Sequence, residues 1–338
     1  MLPPVELKPP FNITRFSHVR LTVADLARSR DFYTKILGLV VSDEDESACY
    51  LRGLAEACHH SLVLELDRNE AGTSRRVGFR VQFEEDLDVA ARWFAERGLP
   101  AEFVEEQHQG RTLHTSDPAG TALELCATME IRPRLHIDFP LHRGAHAQRI
   151  DHIQVLTPDT YALTAFYGEL GFRNSEYLEH GDELLGAFMY RKGTCLDLAV
   201  VKGTGPRLHH FAYTVSESRD IFTACDFAGL EGYGDGVERG PGRHGPGGML
   251  FTYLRDPDGH RVEVFNSHYQ TIDVEIEPVR WDAAAVSTNA RWGLPALSKW
   301  YFEASPFHDV PTKAPDEPQR PYTLERMLLD ERADQEGE

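Results

Sequence analysis

The chain has 338 residues and a formal net charge of −19 at pH 7, from 35 lysines and arginines against 54 aspartates and glutamates. This acidic balance, with no basic block, makes nucleic acid and anionic membranes poor partners. No window has the length of a membrane span and the N-terminus lacks a signal-peptide pattern, so we predict a cytoplasmic protein. The five cysteines form no CxxC pair, which argues against disulfides and cysteine-based zinc sites.

In chain order, the first predicted unit is a strand followed by a short amphipathic helix in FSHVRLTVADLARSRDFYTKILGL, residues 16–39. The segment RIDHIQVLTPDTYALTAFYGELGF, residues 149–172, predicts the same pair of elements. His18 and His152 hold equivalent places in the two strands. The separation between His18 and His152 in the sequence indicates duplication of a unit of roughly 130 residues.

Each half of the chain contains the pattern βαβββ twice. We therefore predict an α+β protein of tandem βαβββ modules, with two domains that are each a curved mixed or antiparallel sheet enclosing a cavity. The predicted domains are residues 12–128, a scaffold without metal, and residues 149–270, which carry the metal. Residues 271–304 form a cover segment, and residues 305–338 form an acidic, Pro-containing tail that we expect to be partly disordered.

Three predicted strands of the second half each place one metal-capable side chain near the middle: His152, His210 and Glu263. Two imidazoles and one carboxylate leave half of an octahedron open, the facial arrangement of non-haem Fe(II) oxygenases, which Mn(II) also accepts. A lone histidine in a strand is more often a half-buried structural imidazole. Three coincident positions on three strands favour a metal site instead.

The duplication provides an internal control for this metal site. Aligned to the first half, the three positions fall on His18, Gly78 and Glu124. A glycine cannot ligate through a side chain. We therefore predict metal in the second half only.

Four motifs carry a resemblance to a known family: DHIQVLTPD, GPRLHHFAY, ERGPGRHG and YLRDPDGHRVEVF. With the paired modules, they resemble the type I extradiol ring-cleaving dioxygenases of the vicinal-oxygen-chelate superfamily, over about residues 16–305. The resemblance implies an enzyme that opens the ring of a catechol or hydroquinone-like aromatic with O2. It implies Fe(II) as the cofactor, with Mn(II) as the alternative, and a homo-oligomer, either a tetramer or a dimer.

The resemblance also assigns roles around the metal, with the three residues above as its ligands. It implies that Tyr253 and His244 are catalytic, the first bonding the substrate and the second lying near the bound catechol. Arg239 is expected to hold a carboxylate on the substrate. Arg291 is open between a substrate clamp and an ordinary ion pair, and His209 is expected on the opposite face of its strand.

Leu196 is the largest departure from the family pattern, because it stands where the family has an acid-base histidine. General acid-base help is worth about 10² to 10⁴-fold in rate, so the loss matters. Three explanations are open: a shifted alignment, His244 or His209 in the proton role, or a substrate that needs no such shuttle. We expect Leu196 itself in the substrate pocket.

Three smaller departures also concern the substrate pocket. Phe188 replaces a tryptophan over the substrate, Asn289 replaces a second carboxylate-binding arginine, and Gln154 replaces a smaller amide. Together with Leu196 they predict a more apolar pocket. We therefore expect a catechol or hydroquinone with an apolar or bulky substituent.

Two function classes remain open from the sequence. One is the ring-cleaving dioxygenase, with an atypical proton path. The other is a vicinal-oxygen-chelate metalloprotein without oxygen chemistry, which would be an isomerase, a hydrolase or a binder of an aromatic ligand. The presence of Tyr253, His244 and Arg239 favours the dioxygenase, because a pure binder has little use for them.

Overall fold

The protein is described from a computed structural model, which describes residues 2–273, 275–285, 288 and 290–336. The strands of the first half are β1 (Ile13–Val23), β2 (Val40–Glu44), β3 (Ala48–Arg52), β4 (Leu62–Leu66), β5 (Ser74–Val81), β6 (Glu102–Glu106), β7 (Gly110–Ser116) and β8 (Ala122–Cys126). Its helices are α1 (Leu26–Phe32), continued by a π-helical turn (Tyr33–Leu37), and α2 (Glu84–Glu96).

The second half repeats this order and adds elements at its end. Its strands are β9 (Arg149–Thr157), β10 (Arg173–His180), β11 (Glu183–Tyr190), β12 (Leu198–Lys202), β13 (Arg207–Val215), β14 (Val237–Arg243), β15 (Leu250–Arg255), β16 (Arg261–Asn266), β17 (Val279–Asp282) and β18 (Ser305–Pro306). Its helices are α3 (Thr160–Glu169), α4 (Ser218–Leu230), α5 (Ser298–Phe302) and α6 (Leu324–Glu336), and short 3-10 turns occur at Phe139–Leu141 and Gly234–Gly236.

Each half forms one curled mixed sheet. The strand order is β2-β3-β4-β1-β5-β8-β7-β6 in the first and β14-β15-β16-β13-β9-β12-β11-β10-β17 in the second, where β18 also pairs with β13. The central pairs are antiparallel, β1 with β5 and β9 with β13. The prediction of an α+β fold from tandem βαβββ modules is confirmed.

The duplicated strand-helix units begin and end by the same local chemistry. Asp25 and Asp159 are the N-cap residues of α1 and α3, and each carboxylate accepts a backbone N–H of the first turn. Gly38 and Gly171 end the two units with φ of 80° and 79°. Only glycine adopts such backbone angles without strain, so both helices stop at the same point.

The two halves exchange a matching pair of hydrogen bonds. The Tyr33 hydroxyl donates to Asp256 Oδ2 at 2.8 Å, and the Tyr167 hydroxyl donates to Asp117 Oδ2 at 3.0 Å. Tyr33 lies in the π-helical turn that continues α1, Tyr167 lies on α3, and each aspartate lies at a turn of the other half. The bonds are buried, and they join the halves through residues that the duplication made equivalent.

The structure corrects one detail of the internal alignment. Gly78 pairs with His18, and its counterpart in the second half is Ala212, which pairs with His152. The residue two places earlier, at the position of His210, is therefore Arg76. The first half lacks the second imidazole because an arginine stands there, and Gly78 leaves room for the His18 ring, 2.1 Å from where a Cβ would lie.

Part of the acidic tail, which we expected to be partly disordered, contains regular structure. Ser305–Pro306 pairs with the first residues of β13, Lys313 pairs with Gly205, and α6 follows. These pairings return the tail to the second sheet, where part of it reaches the cavity described below. Among the described residues, no helix is long and apolar enough to cross a membrane.

Candidate active site and metal centre

The three predicted metal-capable side chains come together on the adjacent strands β9, β13 and β16. Glu263 Oε2 lies 3.0 Å from His152 Nε2 and 3.3 Å from His210 Nε2. All three residues are buried, and one ligand atom of each lies within 4.8 Å of the other two. The donor set of two imidazoles and one carboxylate fits a divalent transition metal.

Hydrogen bonds on the far side of His152 determine which of its nitrogens faces the centre. Its Nδ1 lies 3.1 Å from Asp151 Oδ2, and a carboxylate accepts, so Nδ1 carries the proton. In the neutral ring, which is the form that binds a metal, the lone pair is therefore left on Nε2, on the side of Glu263. A carboxylate behind a ligating histidine is the usual device that fixes its tautomer and orientation.

A second chain of hydrogen bonds does the same for His210. His209 Nε2 donates to the Trp300 carbonyl at 2.7 Å, so its Nδ1 accepts from His210 Nδ1 at 2.8 Å. This corrects the expected placement of His209 on the opposite face, because a register shift between Leu208 and His210 breaks the alternation of β13. His209 lies behind His210 and leaves the lone pair of His210 on Nε2.

The protonation of the centre suits a cation. Burial alone would raise the pKa of Glu263, but the neighbouring His152, His210 and His244 rings hold it well below its usual range. Burial lowers the pKa of His210 to about 4. Burial also lowers the pKa of His152, but the bonds to Asp151 and Glu263 outweigh it and raise that pKa. A buried carboxylate with a neutral imidazole is therefore present at pH 7.

His244 and Tyr253 lie together beside the triad. His244 Nε2 is 3.0 Å from Glu263 Oε1 and 3.0 Å from the Tyr253 hydroxyl. Burial is the main cause that lowers the pKa of His244 and raises the pKa of Tyr253 well above its ordinary value. A phenol and an imidazole in one hydrogen-bonded pair can hold a proton next to a bound substrate.

The triad opens into a cavity of about 970 Å³, which is large enough for a substituted aromatic ring. Phe188, Leu196, Gln154, Cys195 and Ala199 line it. Of these residues, Phe188, Leu196, Cys195 and Ala199 pack into one apolar cluster. The structure therefore places all three predicted pocket substitutions, Phe188, Leu196 and Gln154, on the wall of this cavity.

The two predicted substrate arginines lie in different places. Arg239 is buried, lines the cavity and lies over Trp300, with its guanidinium carbon 4.2 Å from the ring centroid. Arg291 is exposed and lies over Trp281, 4.8 Å from the ring centroid. Arg291 is not among the described residues that line the cavity, so the structure does not bring it to the site. Asn289 lies outside the described residues.

Sequence reasoning missed several residues of this cavity. Glu176 is a buried carboxylate in its wall, held by Tyr269, by the Trp281 indole and by the backbone N–H of Gly247. Burial raises its pKa. The tail also contributes to the lining, through Pro318, Gln319, Arg320, Pro321, Tyr322 and Arg326. No local signal connects residues so distant in sequence to the triad.

The equivalent place in the first half is occupied by protein charges. Glu124 accepts from His18 and, at 3.0 Å, from the Gln109 amide, and its Oε2 lies 3.5 Å from His114 Nε2. Burial raises the pKa of Glu124, yet the histidines and Arg20 hold it well below its usual range. An arginine and hydrogen-bond donors thus do here what a metal would do in the second half.

The comparisons agree with this architecture. The model of the Glyoxalase/Bleomycin resistance protein/Dioxygenase superfamily matches residues 15–125 and again residues 149–264. A manganese-dependent 2,3-dihydroxybiphenyl 1,2-dioxygenase of Geobacillus genomosp. 3 is 28% identical over 304 residues, 84% of this chain and 95% of that protein. A metapyrocatechase of Geobacillus stearothermophilus is 25% identical over 316 residues, 88% of this chain and 95% of that protein.

Solved structures of ring-cleaving dioxygenases are also similar to this chain. The homoprotocatechuate 2,3-dioxygenase of Brevibacterium fuscum superposes with a TM-score of 0.89 at 34% identity, covering 94% of this chain and 90% of that one. That of Arthrobacter globiformis gives 0.86 at 35% identity, covering 91% and 96%.

The chain belongs to the Glyoxalase/Bleomycin resistance protein/Dioxygenase superfamily. Within it, the prediction of an extradiol ring-cleaving dioxygenase that depends on a non-haem metal is confirmed by these relatives and structures.

Proposed function

We propose that the protein opens the ring of a catechol bearing an apolar substituent, with O2 as co-substrate and Fe(II) held by His152, His210 and Glu263. Mn(II) is the alternative, because the same donor set accepts it and one relative is named as manganese-dependent. When bound, the metal supplies a redox-active Lewis acid with open positions for a diol and for dioxygen. Every other step depends on the chain's own residues.

Tyr253 and His244 are the residues that we assign to the substrate's protons. Their 3.0 Å hydrogen bond lies beside the triad, and both side chains line the cavity. A catechol must lose at least one hydroxyl proton to bind as an anion. The His244 imidazole, whose pKa is lowered by burial, is neutral at pH 7 and can accept that proton.

The surroundings of Leu196 explain why we assign the acid-base role to His244. Phe188, Cys195 and Ala199 form the wall around Leu196. None of them carries an imidazole that could transfer a proton. His244 directly follows β14 and contacts both Glu263 and Tyr253. We therefore assign the acid-base function to His244, and Leu196 to contact with the substrate ring.

The apolar part of the cavity wall is the observation on which we base the proposed substrate class. Phe188, Leu196 and Ala199 would contact a ring substituent with carbon atoms only. Placing a carboxylate against such a wall is costly, whereas an alkyl or aryl group gains from burial. Arg239 lies over Trp300 on another part of the wall, where it can contact a polar edge of the substrate.

The test is a comparison of kcat/KM for three catechols with the Fe(II)-loaded protein. Catechol is the reference, 2,3-dihydroxybiphenyl carries an apolar substituent and 3,4-dihydroxyphenylacetate carries a charged one. We expect the biphenyl to exceed catechol by about 10-fold or more and the phenylacetate to fall below it. A preference for the phenylacetate would contradict the proposal.

A further inference from the structure

The cavity beside the triad continues along the second sheet, beyond the wall around Leu196. Its lining residues alternate along neighbouring strands, as side chains on one face of a sheet do. These residues are His152, Gln154 and Leu156 on β9, Glu176, Leu178 and His180 on β10, and Ala199 and Val201 on β12. The pairing of the strands orders them into successive layers that lead away from the metal centre.

The first layer is the one nearest the triad. It consists of four residues that pair in turn across the sheet, Glu176 with Phe188, Phe188 with Ala199, and Ala199 with Gln154. Gln154 is two residues from the ligand His152 on the same strand. A ring held at the triad would therefore contact this layer.

The second layer is aliphatic. Leu178 pairs with Gly186, Gly186 with Val201, and Val201 with Leu156. Two residues along each strand place this layer roughly 7 Å beyond the first. Gly186 is its low point, because a Cβ there would lie 3.2 Å from Leu178 Cδ1 and 3.5 Å from Val201 Cγ2. A register shift in β11 also brings Leu185 to the cavity wall.

The third layer is charged and ends the aliphatic stretch. His180 pairs with Glu183 at the turn between β10 and β11, and Glu183 forms an ion pair with Lys202, the last residue of β12. The Glu183 side chain is 47% exposed, whereas Lys202 is buried. A second, polar cavity of about 630 Å³ begins at the same two residues. The distance from the first layer to this one is about 13 Å along the strands.

The C-terminal tail forms another part of the wall. Lys313 pairs with Gly205, three residues after Lys202, and the Leu324 N–H donates to the Ala296 carbonyl just before α5. Several residues between these two attachments line the cavity: Pro318, Gln319, Arg320, Pro321 and Tyr322. Sheet and tail together would thus remove a chain in the aliphatic stretch from water.

We infer that the substrate is a catechol with an extended apolar substituent, a linear alkyl chain or a group of similar length, which runs over the second layer and ends at the third. The inference rests on the proposed function for the ring. A short substituent leaves the aliphatic layer uncovered, whereas each buried methylene of a longer one adds to binding. Leu178, Gly186 and Val201 are thereby residues that determine specificity.

The experiment measures the Kd of 4-alkylcatechols for the anaerobic Fe(II)-loaded protein by isothermal titration calorimetry. Ethyl, butyl, hexyl, octyl and dodecyl chains are compared, each below its micelle concentration. We expect the Kd to fall by about 2- to 4-fold for each methylene up to octyl, and far less from octyl to dodecyl, where the chain passes the charged layer. The 3-alkyl series is measured in parallel, and the trend is expected in the series whose chain follows the sheet.

Gly186→Val fills the second layer, and valine suits the strand backbone of β11. The ratio of the ethyl Kd to the octyl Kd should fall at least 10-fold in this variant, and the ratio cancels a general loss of binding. Val201→Phe changes the same layer from β12 and should act in the same direction. Gly229→Val, at an exposed position of α4 with open space around it, is the matched control and should keep the native ratio.

A native Kd that does not change with chain length in either series would overturn the inference, and so would a native ratio in both Gly186→Val and Val201→Phe. Oxygen uptake with the same compounds tests the proposed function separately. Chain-dependent binding without oxygen uptake would contradict the proposed function and support the inference. Oxygen uptake with binding that ignores chain length would do the reverse.

Discussion

Single hydrogen bonds determine which nitrogen of each imidazole is available in this protein. Asp151 does so for His152, and a carbonyl acts through His209 on His210. Sequence alone reveals the ligating residue but not the residue behind it. The partner matters because an imidazole held as the wrong tautomer presents a proton to the metal in place of a lone pair.

At this scale, the first prediction concerns the metal of the triad. Replacing His152, His210 or Glu263 with alanine should each remove stoichiometric iron, because two ligands alone do not hold a divalent ion tightly. Iron per chain is measured by elemental analysis after anaerobic loading with one equivalent. His18→Ala and Glu124→Ala are the equivalent changes in the first half and should leave the iron bound. Full iron retention in His210→Ala contradicts the ligand set.

The second prediction concerns the proton path. His244→Ala should lower kcat by about 10² to 10⁴-fold. Leu196→His places a second imidazole on the cavity wall, and in that background the loss caused by His244→Ala should be much smaller. Such non-additivity is expected when two residues can fill one role.

Steady-state kinetics of the two single variants and the double variant with an unsubstituted catechol measure this coupling. If the two changes are additive within error, His244 does not replace the family's acid-base histidine.

At the scale of elements, the halves are joined by tyrosines that the duplication made equivalent. Tyr33→Phe should destabilise the protein by about 1 to 3 kcal/mol, because Asp256 then loses a buried donor. Tyr167→Phe should cost a similar amount through Asp117. Urea unfolding at pH 7 measures both. Tyr161→Phe, an exposed change in the same helix as Tyr167, is the control, and equal stability of all three variants would contradict the interpretation.

Asp117 also gives the fold a pH dependence. Burial raises its pKa from 3.8 to about 6, although hydrogen bonds from Thr121 and Tyr167 offset part of the effect. The folded state therefore binds more protons than the unfolded state between about pH 4 and pH 6, and stability falls as the pH rises through that window. Above pH 6 Asp117 is ionised in the folded state, and the full free-energy cost of burying its charge is present.

Compared with Asp117→Asn, which does not titrate, the native protein should lose about 2 kcal/mol of unfolding free energy between pH 4 and pH 7. Urea unfolding of both proteins at several pH values tests this. Parallel pH profiles would show that Asp117 has an ordinary pKa in the folded state.

The elements themselves could be predicted, and so could the triad. Alternating apolar residues and helix-ending glycines are local signals, and the duplication showed that His152, His210 and Glu263 occupy matching strands. The register of β13 could not be predicted, because the shift at Leu208 has no local signal and it places His209 behind His210. The same ambiguity led to Gly78 in place of Arg76.

At the scale of the whole molecule, one duplicated architecture holds two differently used halves. The second half keeps an open centre beside a large cavity, whereas the first half neutralises Glu124 with His18 and Arg20. Contacts between distant segments explain the remaining differences from the sequence analysis. The tail lines the cavity, and Arg291 lies over Trp281 outside it, because both depend on how the C-terminal residues return to the sheet.

Oxygen uptake tests the central claim most directly. The Fe(II)-loaded protein is mixed with 2,3-dihydroxybiphenyl in an oxygen-electrode cell while the absorbance of the yellow ring-opened product is followed, and Glu263→Ala is treated in parallel. We predict that one O2 is consumed for each molecule of substrate, with matching product, and that the variant consumes none. Iron bound at one equivalent by the native protein, with no oxygen uptake from any catechol tested, would contradict the account and favour a metalloprotein without oxygen chemistry.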